Sequence, residues 1–359
     1  MYKKQILSFV CFLLLIGAMV CLMGHSVMAA DVIQLRYASY QPTTSQLYKC
    51  QEWWGKEMEK RTEGKVKVKL FPGQQLAKAK QMLETISSGG TDIGGVSPSY
   101  TPAKLAMHTL DFVPMLAPVR ADQQMLILNG DLRKNPAMVK ELKSLNVINL
   151  FTLCLPGYSV ISREPIRTPA DFKGVKIRCT GMLAPFFKKM GAVPVFTPAP
   201  EAMMAMSRGV VDAVAGCGDY WHKAYKLDEV GKYLTRDVAF GGATLDILMN
   251  KSSYDKLPAQ AKKVIDDLRQ EMAKVNQLFI ASPTILLKWH MENERKGITY
   301  VYWKPDNVKA AMKIAKPFWE AWQKKWEAKG ARGYFEAFMK AKEEVLKKYP
   351  NGIPVEYKM

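Results

Sequence analysis

The amino-acid sequence predicts an α/β fold in two lobes, followed by a helical C-terminal tail. Three observations carry this expectation. Runs that alternate apolar and polar residues take turns with segments whose apolar residues recur every three or four positions. That alternation restarts near Val147, in the middle of the 359-residue chain. From Leu257 onward the strand signals give way to amphipathic helices. Short connections between alternating strands and helices point to a mainly parallel sheet.

Met1–Ala30 reads as a secretory signal. Lys3 and Lys4 give a positive start, Ile6–Met23 is almost wholly apolar, and small residues place cleavage near Ala29 or Ala30, before Asp31. The apolar run is marginal for the ~20 residues that span a bilayer. An exported, soluble mature protein is expected.

In the mature chain Ile33–Tyr37 alternates as a strand, and Leu47, Gln51, Trp54 and Met58 then form a helix face stopped by Gly64. Val66–Leu70 alternates again. Leu76, Ala79, Leu83 and Ile86 predict a helix ended by Gly89-Gly90, and Thr91–Val96 a strand entering the turn Ser97-Pro98-Ser99-Tyr100. In the second half Val147–Cys154, Tyr158–Ser162, Val175–Cys179, Val193–Phe196 and Val210–Ala215 predict strands. Thr168–Phe172 is a turn between them, and Ala184–Met190 and Glu201–Ser207 are helical. Val264, Leu268, Met272, Val275 and Phe279 mark one long helix, and Trp289, Trp319, Trp322 and Trp326 belong to the core faces of later ones.

With 48% apolar and 24% charged residues the chain can build one large core or two ordinary ones. Its net charge of +19 favours anionic partners but is spread along the chain. No aromatic–basic stripe accompanies it, so nucleic acid is not an expected partner. Removing the signal leaves Cys50, Cys154, Cys179 and Cys217, whose spacings fit neither a metal knuckle nor a redox CxxC motif. Buried free thiols are expected, with a Cys179–Cys217 bridge as the alternative. His108, His222 and His290 are scattered, and there is no HExxH, GxSxG, Walker-A or strand-borne GxGxxG pattern. The chain is therefore read as a non-enzyme without metal or cofactor.

Three segments carry a family pattern: Leu83–Val96 (LETISSGGTDIGGV), Gly174–Val195 (GVKIRCTGMLAPFFKKMGAVPV) and Glu201–Ala213 (EAMMAMSRGVVDA). Together with the signal and the long helix after Leu257, they resemble the DctP-type extracytoplasmic solute-binding proteins of TRAP transporters. The most specific stretch runs from Arg163 to Asp212 and contains Asp171–Arg178 (DFKGVKIR). The resemblance implies a two-lobed periplasmic binding protein fold with a long helix spanning both lobes. It divides the chain into signal 1–30, lobe I from 31–158 plus 242–282, and lobe II from 159–241 plus 283–359. It further implies an organic-acid ligand in the interlobe cleft and, as partners, the small and large membrane subunits of the transporter. A membrane-receptor sensing module is the alternative role.

The arginine of the GxKxR strand, here Arg178, is implied as the carboxylate anchor, with Arg163 as a second. The physics suits this, because a guanidinium is planar, always charged and offers two parallel donors to a carboxylate. Tyr40 and Gln41 after the first strand, and Ser97, Pro98 and Tyr100 after the third, fall where the family's cleft lies. Where many members carry Gln-Glu-Asn-like residues, this chain has Asp212–Trp221 (DAVAGCGDYW). Small residues around Cys217 make room there, and Tyr220 and Trp221 offer a flat wall. Such a wall suits a branched, aromatic or ring-bearing acid better than a small dicarboxylate. Asp219 accepts a ligand hydroxyl, helps hold a cation, or caps the next helix.

Overall fold

The computed structural model describes residues 32–118, 120–236 and 238–352. The signal and its cleavage site lie outside the described residues. Lobe I opens with β1 (Ile33–Ala38), α1 (Gln46–Arg61), β2 (Val66–Phe71), α2 (Met82–Ser87) and β3 (Ile93–Val96). It continues through α3 (Ala121–Asn129), α4 (Pro136–Ser144) and β4 (Val147–Leu155). Lobe II follows with β5 (Ser159–Ser162), β6 (Lys176–Cys179), α5 (Ala184–Lys189), β7 (Val193–Phe196) and α6 (Ala202–Ser207). It closes with β8 (Ala213–Gly216), α7 (Gly218–Ala224) and β9 (Tyr233–Arg236). The chain then returns to lobe I as β10 (Ala243–Asn250), α8 (Lys251–Asp255) and α9 (Ala259–Asn276). It ends with α10 (Pro283–Arg295), β11 (Thr299–Tyr302), α11 (Pro305–Glu327) and α12 (Tyr334–Lys348). Among the described residues no helix is long and apolar enough to cross a membrane.

The sheets run β2-β1-β3-β10-β4 and β11-β9-β5-β8-β6-β7. Both follow the mainly parallel expectation, with one reversed strand in each. In lobe I, β10 is antiparallel to β3 and β4, and in lobe II β5 is antiparallel to β8 and β9. The reason is direction of entry. The other strands beside the cleft run toward it, so a chain that crosses from one lobe must enter the other from the cleft end. Each lobe therefore acquires one reversed strand, and each is the first strand after a crossing.

The two crossings hold one another. Tyr158 N–H donates to Gly241 O at 2.7 Å, and Phe240 N–H donates to Tyr158 O at 2.9 Å. Between them Gly157 has no room for a side chain, since a Cβ there would lie 2.4 Å from Ala239 Cβ.

Local differences from the sequence reading have local causes. The helix expected from Leu76 starts at Met82, because Pro72-Gly73 and the left-handed Gln74 hold the preceding segment in turns and Leu76 stays exposed. The strand expected from Val210 starts at Ala213, and Val210 is exposed after the left-handed Gly209. The single long helix expected through Phe279 ends at Asn276. Residues 277–281 widen into a π-turn, and Ser282, which accepts from Ile285 N–H, starts α10 with Pro283 at its first position.

As a result α9 packs on α1 and β4 in lobe I, and α10 packs on α7 in lobe II. The helix that spans both lobes is α11. Its start meets α5 and the turn at Pro169–Phe172, while Trp319 Nε1 donates to Pro114 O at 2.7 Å and Trp322 Nε1 to Thr109 Oγ1 at 3.2 Å. α12 then packs on α3, joining Trp322, Trp326, Tyr334 and Phe338 to Leu110, Leu116 and Ile127. Residues 283–359, expected wholly in lobe II, thus divide, with α12 returning to lobe I.

The tight crossing yields a prediction. Gly157→Ala forces the two crossings apart and costs about 1–3 kcal/mol, the usual range for overpacking. Pairing it with Ala239→Gly recovers most of that loss in urea unfolding, whereas an additive double mutant would show that the contact is not the cause.

Candidate functional site

Strand ends bring the cleft residues together. Tyr40 and Gln41 follow β1, Ser97 and Tyr100 follow β3, and Tyr158 lies in the first crossing. From lobe II come Arg178 near the end of β6, Thr180 just beyond it, Thr197 beyond β7, and Cys217, Trp221 and Tyr225 beyond β8. This is the place where ligands of open α/β sheets bind.

Arg178 is central to lobe II, paired in register with Val195 on β7 and Val214 on β8. It is 1% exposed. Its Nε donates to Thr197 O at 2.8 Å and its Nη1 to Ala215 O at 3.0 Å, which fixes the plane of the guanidinium. Nη2 is buried with no hydrogen-bond partner among the described residues, and the Tyr100 hydroxyl is near enough for the guanidinium to act on it. Among the described residues this guanidinium meets carbonyls and no carboxylate. The hydroxyls of Thr180 and Thr197 are also buried without partners, and the pairing of Cys179 with Phe196 sets the two threonines side by side.

Aromatic side chains surround this cation. The Trp221 ring centroid is 5.6 Å from the Arg178 guanidinium carbon and 4.9 Å from the Tyr225 ring. Gly216 permits that placement, because a Cβ there would fall 2.2 Å from Trp221 Cζ3. Tyr40 and Tyr100 stand 6.0 Å apart. Burial raises the phenol pKa of Tyr40, Tyr100, Tyr158 and Tyr225, so all four remain neutral. It also pushes the Cys217 thiol up to about 12, against a lowering pull from Arg178. The four cysteines among the described residues are buried and free, so Cys179 and Cys217 are not bridged.

Two hydrogen bonds clasp the lobes across the cleft. Tyr225 O–H of lobe II donates to Gln41 Oε1 of lobe I at 2.9 Å, and Ala199 N–H of lobe II donates to the Tyr100 hydroxyl of lobe I at 2.9 Å. Ser97 and Ser99 engage each other at 2.9 Å behind Tyr100.

Two of the nine residues expected at the site lie elsewhere. Arg163 follows the reversed strand β5, which carries the chain away from the cleft. It is exposed and donates to Met206 O. Asp219 caps nothing, since Cys217 precedes α7 and makes no side-chain cap. Asp219 is instead buried in lobe II, paired with Arg236 and accepting from Tyr300 O–H at 3.2 Å. Tyr158 and Tyr225, which the sequence reading did not single out, stand beside the cleft residues. Only the four-residue spacing of Trp221 and Tyr225 signalled the latter. The Tyr220 side chain lies outside the described residues.

The profile of bacterial extracellular solute-binding protein family 7 (DctP) matches residues 37–325. The 2,3-diketo-L-gulonate-binding periplasmic protein YiaO of Escherichia coli is 28% identical over 229 residues, covering 62% of this chain and 68% of its own. A TRAP periplasmic solute-binding protein from Desulfovibrio salexigens superposes with a TM-score of 0.76 at 27% identity, over 91% of this chain and 100% of that one. A TRAP solute-binding protein from Rhodoferax ferrireducens, in complex with copurified benzoate, superposes with a TM-score of 0.80 at 20% identity, over 88% and 99%.

Beneath Trp221 the chain carries a titration signature. Burial first, then Arg236 and Arg178, push the His222 imidazole down to about 3. An unfolded chain protonates it near 6.5. Between those values the unfolded state holds the extra proton, so this residue's contribution to stability is complete above about pH 6.5 and is lost as pH falls toward 3. The loss is at most about 1.4 kcal/mol per pH unit. His222→Gln removes that component, giving a shallower fall in urea-unfolding stability from pH 7 to 4; equal slopes in both proteins refute the assignment.

Proposed function

The chain belongs to family 7 of the bacterial extracellular solute-binding proteins, the DctP family, and from that premise we propose that it captures an organic acid through Arg178 and passes it to the membrane subunits of a TRAP transporter. The observation that carries this reading is the buried Arg178 guanidinium, whose Nη2 finds no partner among the described residues. A buried charge without a counter-charge is costly, and one removed from its ion pair loses about 3–5 kcal/mol. A ligand carboxylate supplies that counter-charge. Each charge-assisted hydrogen bond it accepts contributes about 1.5–3 kcal/mol. Because Thr197 O and Ala215 O already fix the guanidinium, little side-chain entropy remains to be lost on binding.

No chemistry on the ligand is required. The ligand meets side chains of both lobes only when they are shut, so it favours the closed form by its difference in affinity for the two states. The closed shape is then what the membrane subunits receive. Export through the Met1–Ala30 signal places the protein in the periplasm, where such capture is useful.

Arg178→Ala weakens acid binding at least a hundredfold by calorimetry, or about 2.7 kcal/mol. The unliganded variant keeps its fold by circular dichroism, since the unpaired buried charge it loses offsets part of the cost of leaving Thr197 O and Ala215 O without a donor. Arg178→Lys keeps the charge but loses the fork, and is weakened at least tenfold. Unchanged affinity in Arg178→Ala defeats the anchor assignment.

A further inference from the structure

Building on the assignment of Arg178 as anchor, we infer that the cleft selects an acid with a single carboxylate on a flat, neutral body, and rejects dicarboxylates and amino acids. The charges on the page support this. Arg178 is the charged group that acts on the phenols of Tyr100, Tyr158 and Tyr225. Of the other ionisable groups nearby, Asp219 pairs with Arg236, His222 stays neutral, burial pushes Asp111 up to about 8 so that it carries little charge, and Lys80 is exposed on the outer side of the Phe196 ring. One guanidinium with one unpartnered nitrogen compensates one carboxylate. A second carboxylate in this closed space would meet phenols, a thiol and an indole, and would have no cation opposite it. An ammonium would find no carboxylate either.

The remaining surface describes the body of the ligand. Trp221 of lobe II stands beside the Arg178 guanidinium and Tyr40 of lobe I beside Tyr100, and aromatic rings stack on flat bodies better than on puckered ones. The polar groups within reach are hydroxyls. Thr180 and Thr197 have no partner for theirs, and Tyr100, whose oxygen accepts from Ala199 N–H, keeps its own proton to donate. They suit the second carboxylate oxygen or a ring hydroxyl, both neutral or anionic acceptors that need no further charge.

The test is calorimetry on the exported chain with a matched set of probes: benzoate, cyclohexanecarboxylate, isophthalate, 4-(aminomethyl)benzoate, succinate, pyruvate and benzamide. Benzoate is expected to bind at least a hundredfold tighter than isophthalate, 4-(aminomethyl)benzoate or succinate. Its advantage over cyclohexanecarboxylate should be about tenfold and should shrink in Trp221→Leu. Because Trp221 packs in lobe II, Tyr100→Phe provides a second variant, expected to weaken benzoate severalfold and, since it also removes the acceptor of Ala199 N–H, to lower the melting temperature only slightly. Isophthalate or succinate binding as tightly as benzoate overturns the single-charge inference and leaves Arg178 as a carboxylate anchor. Pyruvate binding tighter than benzoate overturns the flat-body part in the same way. Benzamide matching benzoate, or no acid binding at all, overturns the carboxylate reading itself.

Discussion

The structure depends on a guanidinium held dry between two lobes with no anion among the described residues to oppose it. Elsewhere in the molecule buried charges are answered from within. His108 sits 2.6 Å from Asp246, which also accepts from Thr152, and Asp219 pairs with Arg236 while accepting from Tyr300. Those groups cost little because each desolvated charge has a partner and hydrogen bonds. Arg178 is oriented by two carbonyls and left electrostatically incomplete. In the proposed function, that combination of fixed direction and missing counter-charge is what couples lobe closure to acid capture.

Strand direction brings the rest of the cleft to this cation. The loops after β1, β3, β6, β7 and β8 lie at the interlobe face, and the two strand crossings pass through the same face. The hydrogen bonds between Tyr158, Phe240 and Gly241 keep the two strand crossings paired, while the chain also passes between the lobes at Ser282–Pro283 and along α11. Tyr225 on Gln41 and Ala199 on Tyr100 then close the opposite side. Both clasps are single neutral hydrogen bonds of about 0.5–1.5 kcal/mol each, weak enough that a ligand's differential affinity decides the balance.

The C-terminal helices set the limits of that motion. α11 bridges lobe II to Pro114 and Thr109 of lobe I through two indole N–H groups, and α12 buries Tyr334 and Phe338 in lobe I. The break at Ser282–Pro283 lets α9 and α10 follow different lobes, where one unbroken helix would tie them rigidly.

Much of this was legible in the sequence. Period-two and helical patterns located most strands and helices to within a few residues. The resemblance pointed to Arg178, Tyr40, Gln41, Ser97, Tyr100, Trp221 and Cys217, which the fold brings to one cleft. Arg163 and Asp219 were misplaced because sequence spacing does not record strand direction. The reversal of β5 carries Arg163 outward, and Arg236 from a neighbouring strand claims Asp219. Tyr158 and Tyr225 were passed over because a crossing residue and a helix-end residue carry no pattern of their own. Local sequence determined the elements and the residue types at their ends, since backbone periodicity and turn chemistry act within a few positions. Only the tertiary structure decided which ends meet, which charges are answered and which one is left for a ligand, because those depend on contacts between residues far apart in the chain.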